Sequence, residues 1–305
     1  MKRNLVSLLL ILLIQAGLIG AVYWPGDETG YAPPAPMLPF PLDRVDTIVV
    51  GDEFDNETAL AKVGDLWLLP ELENLPADVA MVDRLLAALA ASEGHWPVAN
   101  SIAARQRFRV ASYHYRRRIS LLDDKAVLGT FFLGSSPGFR KIYARNEDQN
   151  GIYSVLFNAQ DAPGHNGGWL DKRLLQTRAP VSISADAYSL HREGAGWLSG
   201  IGQVPEEREL EALLSTLRNL QIDGLASGDA QRDLSSAEAD MVFTVESLAG
   251  KVTLELFQYG DKHYIHSSEY PLFFTLSAYD YERLASIDQR RISGDKTRST
   301  SGRPT

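Results

Sequence analysis

At 305 residues the chain has room for about two ordinary domains, and 45% apolar residues with 9% aromatics can give each its own core. It has no cysteine, which excludes a disulfide framework, thiolate metal sites, thiol catalysis and a lipid-modified cysteine anchor. The formal net charge of −9, with a short net-positive stretch at each end around an acidic body, argues against nucleic acid as a partner.

Leu5 to Trp24 is a run of Leu, Ile and Val broken by Ser7, Gln15 and small residues. Twenty residues at ~1.5 Å rise cover a ~30 Å hydrocarbon core, so residues 1–24 are predicted to hold one transmembrane helix. Lys2 and Arg3 precede it and Asp27 and Glu28 follow, which places the N-terminus in the cytoplasm and everything after Trp24 outside. Tyr23 and Trp24 would sit at the outer membrane interface. The rival is a cleaved signal peptide, but cleavage at Gly20 or Ala21 would put bulky Leu18 or Ile19 where a small residue is needed. Residues 25–42 include Pro33-Pro34-Ala35-Pro36 and read as an extended Pro-rich stalk.

Residues 43–178 form a first α+β repeat. Val45 to Val50 is a β-branched strand, and Leu60 to Trp67 a hairpin turning at Gly64-Asp65. Pro76 and Asp78 open a helix whose Val79, Val82, Leu85, Leu86 and Leu89 recur at helical spacing. Strands are expected over 108–122, 127–134, 141–145 and 152–157.

Residues 179–287 repeat the programme. Val181 to Tyr188 is its first strand, Gly194 to Gly196 the turn and Glu206 to Leu220 the helix. Strands follow over 241–245, 251–259, 262–266 and 272–276, with a short helix near 279–287. Residues 288–305 read as a disordered basic tail. Leu190, Arg192, Gly194 and Trp197 copy the spacing of Leu60, Lys62, Gly64 and Trp67, with Trp169 to Leu175 as the hinge between copies. The fold class is therefore α+β, a tandem of two similar antiparallel-sheet-plus-helix domains after one N-terminal transmembrane helix.

An ordered set of motifs carries a family resemblance. It comprises the N-terminal anchor, Leu-x-Lys-x-Gly-x-x-Trp at 60 to 67, Pro-Ala-Asp at 76 to 78, Phe-Phe-Leu-Gly at 131 to 134, Ile-Tyr-Ala-Arg at 142 to 145, and Trp-Leu-Asp-Lys-Arg-Leu-Leu at 169 to 175. Together they resemble the bacterial domain-of-unknown-function family 4340. The resemblance implies an envelope protein working with an ABC transporter of the gliding-motility kind, hence an integral membrane transporter subunit as partner. It implies no catalytic residues and no cofactor.

The residues themselves point the same way. His263 and His266 are three apart on a strand and face opposite sides, which does not make a metal pair. Asp161, His165 and Asp171 surround a Gly-rich loop without a nucleophile motif, so the loop reads as a connector. No enzyme is expected. Tyr113 to Arg118 is the densest basic run of the body. Strand alternation places His114, Arg116 and Arg118 on one face, as a solvated or ion-paired stripe or as a docking surface for an anionic envelope component. Trp67 and Trp197 read as core rather than as stacking platforms. The expected function is a non-enzymatic membrane accessory or scaffold subunit, with a periplasmic module for an envelope glycan or lipid as the alternative and a hydrolase as the weakest reading.

Overall fold

The computed structural model describes residues 36–91, 96–287 and 289–293, together with Leu12, Ile14 and Gln15. Apart from those three helical positions, the expected anchor with Tyr23 and Trp24, and the Pro-rich segment up to residue 35, lie outside the described residues. Among the described residues no helix is long and apolar enough to cross a membrane.

The strands of the first half are β1 Thr47–Asp52, β2 Glu57–Val63, β3 Leu66–Leu69, β4 Leu75–Pro76, β5 Val110–Ala111, β6 His114–Tyr115, β7 Arg117–Asp123, β8 Ala126–Leu133, β9 Ile142–Asn146 and β10 Tyr153–Val155. Helices α1 Val79–Ala90 and α2 Ile102–Arg107 fall between β4 and β5. The second half has β11 Pro180–Ala185, β12 Tyr188–Glu193, β13 Gly196–Ser199, α3 Glu207–Asn219, β14 Ile222–Leu225, α4 Gly228–Leu234, β15 Met241–Ser247, β16 Gly250–Tyr259, β17 Lys262–Ser267, β18 Phe273–Leu276, α5 Ala278–Ala285 and α6 Gln289–Ile292.

The architecture is α+β, with two eight-stranded sheets whose paired strands run antiparallel. Seven strands of each follow one order: β3-β2-β1-β7-β8-β9-β10 in the first sheet and β13-β12-β11-β15-β16-β17-β18 in the second. The eighth differs, since β4 extends the first sheet beyond β3 and β14 extends the second beyond β18.

The corresponding hairpins agree residue by residue. Leu60 pairs with Ile48 and Lys62 with Trp67, while Leu190 pairs with Ile183 and Arg192 with Trp197. Gly64 and Gly194 turn these hairpins at φ +61° and +59°, a left-handed conformation that an L side chain would strain.

Each half carries an amphipathic helix that buries one face. The Asp78 carboxylate caps α1 by accepting from the Ala80 amide at 2.9 Å, and Val82, Leu85 and Leu89 face the core. The Glu206 carboxylate caps α3 by accepting from the Glu209 amide at 2.7 Å, and Leu213 and Leu217 are buried.

The connector is fixed on both sides. Trp169 is fully buried, its carbonyl accepts from the Asp78 amide at 2.7 Å, and the Asp171 amide donates to Pro76 at 2.9 Å. Toward the second half, the Thr177 amide donates to Leu217 at 3.1 Å and the Ile222 amide to Lys172 at 2.9 Å. One continuous apolar cluster holds buried residues of both sheets together with Trp169, Leu170 and Leu175. The expected hinge is thus a packed joint.

The structure corrects several boundaries. The expected strand over 108–122 is three short strands, because Arg109 adopts φ +57° and a turn at Ser112-Tyr113 folds β5 back on β6. The expected strand over 181–188 is a hairpin turning at Asp186-Ala187. Helices α2 and α4 and strand β14 were not expected; they are short, with Ser101 and Ser227 capping helices that bury only Ala104, and Ala230 with Leu234. Residues 289–293, read as tail, pack on the body: Ile292 is fully buried and its carbonyl accepts from the Glu206 amide. Met37 and Leu38, read as stalk, are buried too, and the Asn146 side chain donates to the Met37 carbonyl at 2.8 Å.

Candidate partner-docking face

The basic run Tyr113 to Arg118 does not form one uninterrupted strand. β6 pairs only with β5, whereas β7 joins the main sheet, and the Arg116 amide at the break donates to the Leu133 carbonyl at 2.9 Å. The expected alternation is interrupted there, and the three candidate docking residues have separate surroundings.

Arg118 pairs with Glu57 at 2.9 Å. The imidazole of His114 accepts from Arg109 Nε at 3.1 Å, and Arg109 in turn pairs with Glu53 at 3.0 Å. Both glutamates flank the acidic loop after β1, so that loop supplies countercharges to the basic run. Such exposed pairs contribute little stability individually. Arg116 alone of the three is exposed without an ion pair among the described residues. It lines a cleft with Arg140 and Lys141 of the β8–β9 loop, two cations that the strand-face reading left out. Their sequence signal is a Phe-Arg-Lys triplet directly after a turn glycine, at 138 to 141.

Around Asp161 to Gly168 the side chains serve the packed connector. The Trp169 indole donates to the Pro163 carbonyl at 2.7 Å, and the His165 ring accepts from the Gly168 amide at 3.2 Å. Asp171 engages Arg173 at 3.1 Å, and hydrogen bonding and charge from Asp171 raise the Arg173 pKa above its ordinary value. Gly164 packs so closely on Asp52 that a Cβ would stand 2.7 Å from that side chain.

The two neighbouring histidines also have different partners. His266 hydrogen-bonds Glu255 at 2.8 Å and stacks on Phe273, whereas His263 lies against Tyr281. No group of three or more metal-ligating side chains occurs among the described residues.

The two landmark tryptophans differ in surroundings. Trp67 is 4% exposed, with the Lys62 ammonium 5.9 Å from its ring centroid. Trp197 is partly exposed and lines a groove of about 490 Å³ with Pro180, Arg192, Glu207, Leu210 and Arg218. The core expectation therefore holds for Trp67 and only in part for Trp197.

This arrangement, two antiparallel sheets with helices on a shared core, defines an α+β protein. A family model described as Domain of unknown function (DUF4340) matches residues 67–242, more than half of the 305-residue chain. The chain belongs to that family. Comparison with curated proteins and with solved structures gives no match.

Proposed function

We propose that this chain is a non-enzymatic, single-pass membrane accessory or scaffold subunit of an envelope ABC-type transport system, with its folded body in the periplasm. The observation that carries this reading is the joint at 169–177, which hydrogen-bonds to both halves and continues their apolar core. A ligand-closing module needs two bodies that move about a cleft. Here each of four surface clefts among the described residues is lined by one half alone. A stiff body held on a Pro-rich tether suits a scaffold, because tethering raises the local concentration of even a weak contact. The run from Leu5 to Trp24 supports the membrane placement, and its small residues Ala16, Gly17, Gly20 and Ala21 offer a face for another helix. The transporter association is drawn from the family resemblance.

The test is purification of the full chain from its own membranes in mild detergent, followed by identification of what accompanies it. The expected companion is an integral membrane transporter subunit, and replacing residues 5–24 by an unrelated membrane helix should weaken its recovery. Full complementation of a deletion by a freely diffusing body lacking residues 1–35 would sink the reading.

A second reading, a periplasmic binding module for an envelope glycan, is favoured by the groove at Trp197. An indole face beside the guanidinium groups of Arg192 and Arg218 and the carboxylate of Glu207 is the chemistry that holds sugar rings. Loss of glycan retention in Trp197→Ala, with co-purification intact, would favour that reading over the scaffold.

A further inference from the structure

The loop from β8 to β9 reads Gly134-Ser-Ser-Pro-Gly-Phe-Arg-Lys141 and, with Arg116 and the Asn158 segment, encloses an open cleft of about 270 Å³. Arg116, Arg140 and Lys141 line it, no aspartate or glutamate does, and none of the three cations has an ion pair among the described residues. On a chain of net charge −9 this is a local reversal of sign, which attracts anions.

The turn that presents these cations is strained. The Lys141 amide donates to the Gly138 carbonyl at 3.2 Å, placing Phe139 and Arg140 at the corner, and Arg140 adopts φ +55°. Glycine or asparagine ordinarily fills such a position, and here an arginine occupies it at the rim of the cleft. Beside it Phe139 is 89% exposed, with the Arg140 guanidinium 5.5 Å from its ring centroid. A soluble anion would need the cations but not the phenyl ring. A bilayer surface offers partners to both, phosphate to the cations and the acyl boundary to the ring.

We propose that this cleft binds the phosphate ester of an anionic phospholipid headgroup, with Phe139 resting in the interface beside it. Chain length permits the approach. Pro36 and Met37 are held by Gln149 and Asn146 near the far end of β9 from the loop, and β9 is roughly 17 Å long. Residues 25–35 would span roughly 34 Å at ~3.1 Å each if extended. The proposal rests on the membrane placement proposed above and not on any transporter.

The test uses the full chain in a neutral detergent, with hydrogen exchange read over residues 134–141 as short-chain phosphatidylglycerol, short-chain phosphatidylcholine or glycerol phosphate is titrated in. Phosphatidylglycerol should protect the loop and phosphatidylcholine should not. Arg140→Gly combined with Lys141→Gln should weaken the apparent affinity by roughly tenfold or more, as loss of two charge-assisted contacts requires. Because Arg140→Gly also relieves the positive φ, that variant should melt no earlier than the parent, which separates lost binding from lost folding. Equal effects of the two lipids overturn the proposal, as does protection that survives the double substitution. Glycerol phosphate acting as strongly as phosphatidylglycerol would identify a free phosphate-ester site and overturn the lipid assignment.

Discussion

The backbone amide of Asp78 donates to the carbonyl of Trp169 at 2.7 Å, so the residue that caps the first helix also holds the segment leading into the second half. Asp78→Ala keeps that backbone bond and removes the cap, which should cost about 1 kcal/mol. Its contact with Arg173, at 3.6 Å and half-exposed on the arginine side, should add little. Because one apolar cluster holds both halves and Trp169, urea unfolding followed by tryptophan fluorescence and by far-ultraviolet circular dichroism should stay one coincident transition. Two separated transitions would contradict the packed joint.

The paired tryptophans give an unequal pair of truncations. Trp67→Ala should cost the ~3 to 5 kcal/mol typical of a buried aromatic, while Trp197→Ala, at a partly exposed site, should cost distinctly less. Denaturation midpoints of the two variants check the order. Equal losses would mean that Trp197 is as deeply embedded as its counterpart.

Those two residues also show what can be read without coordinates. The spacing Leu-x-basic-x-Gly-x-x-Trp located both hairpins, because a left-handed turn calls for glycine and the residue opposite Lys62 or Arg192 is fixed by register. Helices α1 and α3 were legible for a similar reason, since each buries a leucine stripe behind an acidic cap. Helices α2 and α4 were not, because six or seven residues give too few turns for a period to emerge. The basic stripe failed on a tertiary fact: the break between β6 and β7 is a change of pairing partner, and alternation along the chain carries no trace of it. Arg140 and Lys141 meet Arg116 only across the sheet, so their grouping too needed the fold.

Arg145, the last residue of the Ile-Tyr-Ala-Arg motif, is 2% exposed. Its guanidinium donates to the carbonyls of Val110, Asn146, Glu147 and Gln149 and lies 5.2 Å from the Phe132 ring centroid. Burial lowers its pKa, aided by the nearby Arg105 charge. Arg145→Met would fill much of the volume but leave carbonyls without their donor, at a cost of about 3 kcal/mol or more. Thermal melts of Arg145→Met and Arg145→Lys should both fall well below the parent. A neutral Arg145→Met would show that water replaces the guanidinium.

The Tyr188 hydroxyl has the opposite character. It is buried, has no hydrogen-bond partner among the described residues, and burial pushes its phenol pKa up. Removing an unsatisfied hydroxyl spares a desolvation penalty, so Tyr188→Phe should leave stability unchanged or raise it by about 1 kcal/mol. A clear loss in urea midpoint would reveal a partner held in solution.

The remaining prediction concerns acid stability and rests on Asp52, a buried carboxylate beside the basic run. Its Oδ1 accepts from the amides of Phe54 at 2.8 Å and Asn56 at 3.0 Å, and its Oδ2 from the Asn56 side chain at 2.9 Å. Burial by itself raises the pKa, but the Asn56 side chain, the two amides and the Arg117 charge together outweigh it and hold the carboxyl below its usual range. A depressed folded value means that the unfolded chain binds the proton more readily. The stabilisation is therefore fully present above the unfolded pKa of about 4 and is lost as pH falls through the folded value. Asp52→Asn lacks the charge at every pH and should be less stable than the parent at neutrality. The gap should narrow steadily below about pH 4, as protonation makes the parent resemble the variant. Urea midpoints of both proteins, measured from neutrality into the acid range, read this directly. A gap that stays constant into strong acid would show that the Asp52 hydrogen bonds do not depend on its charge.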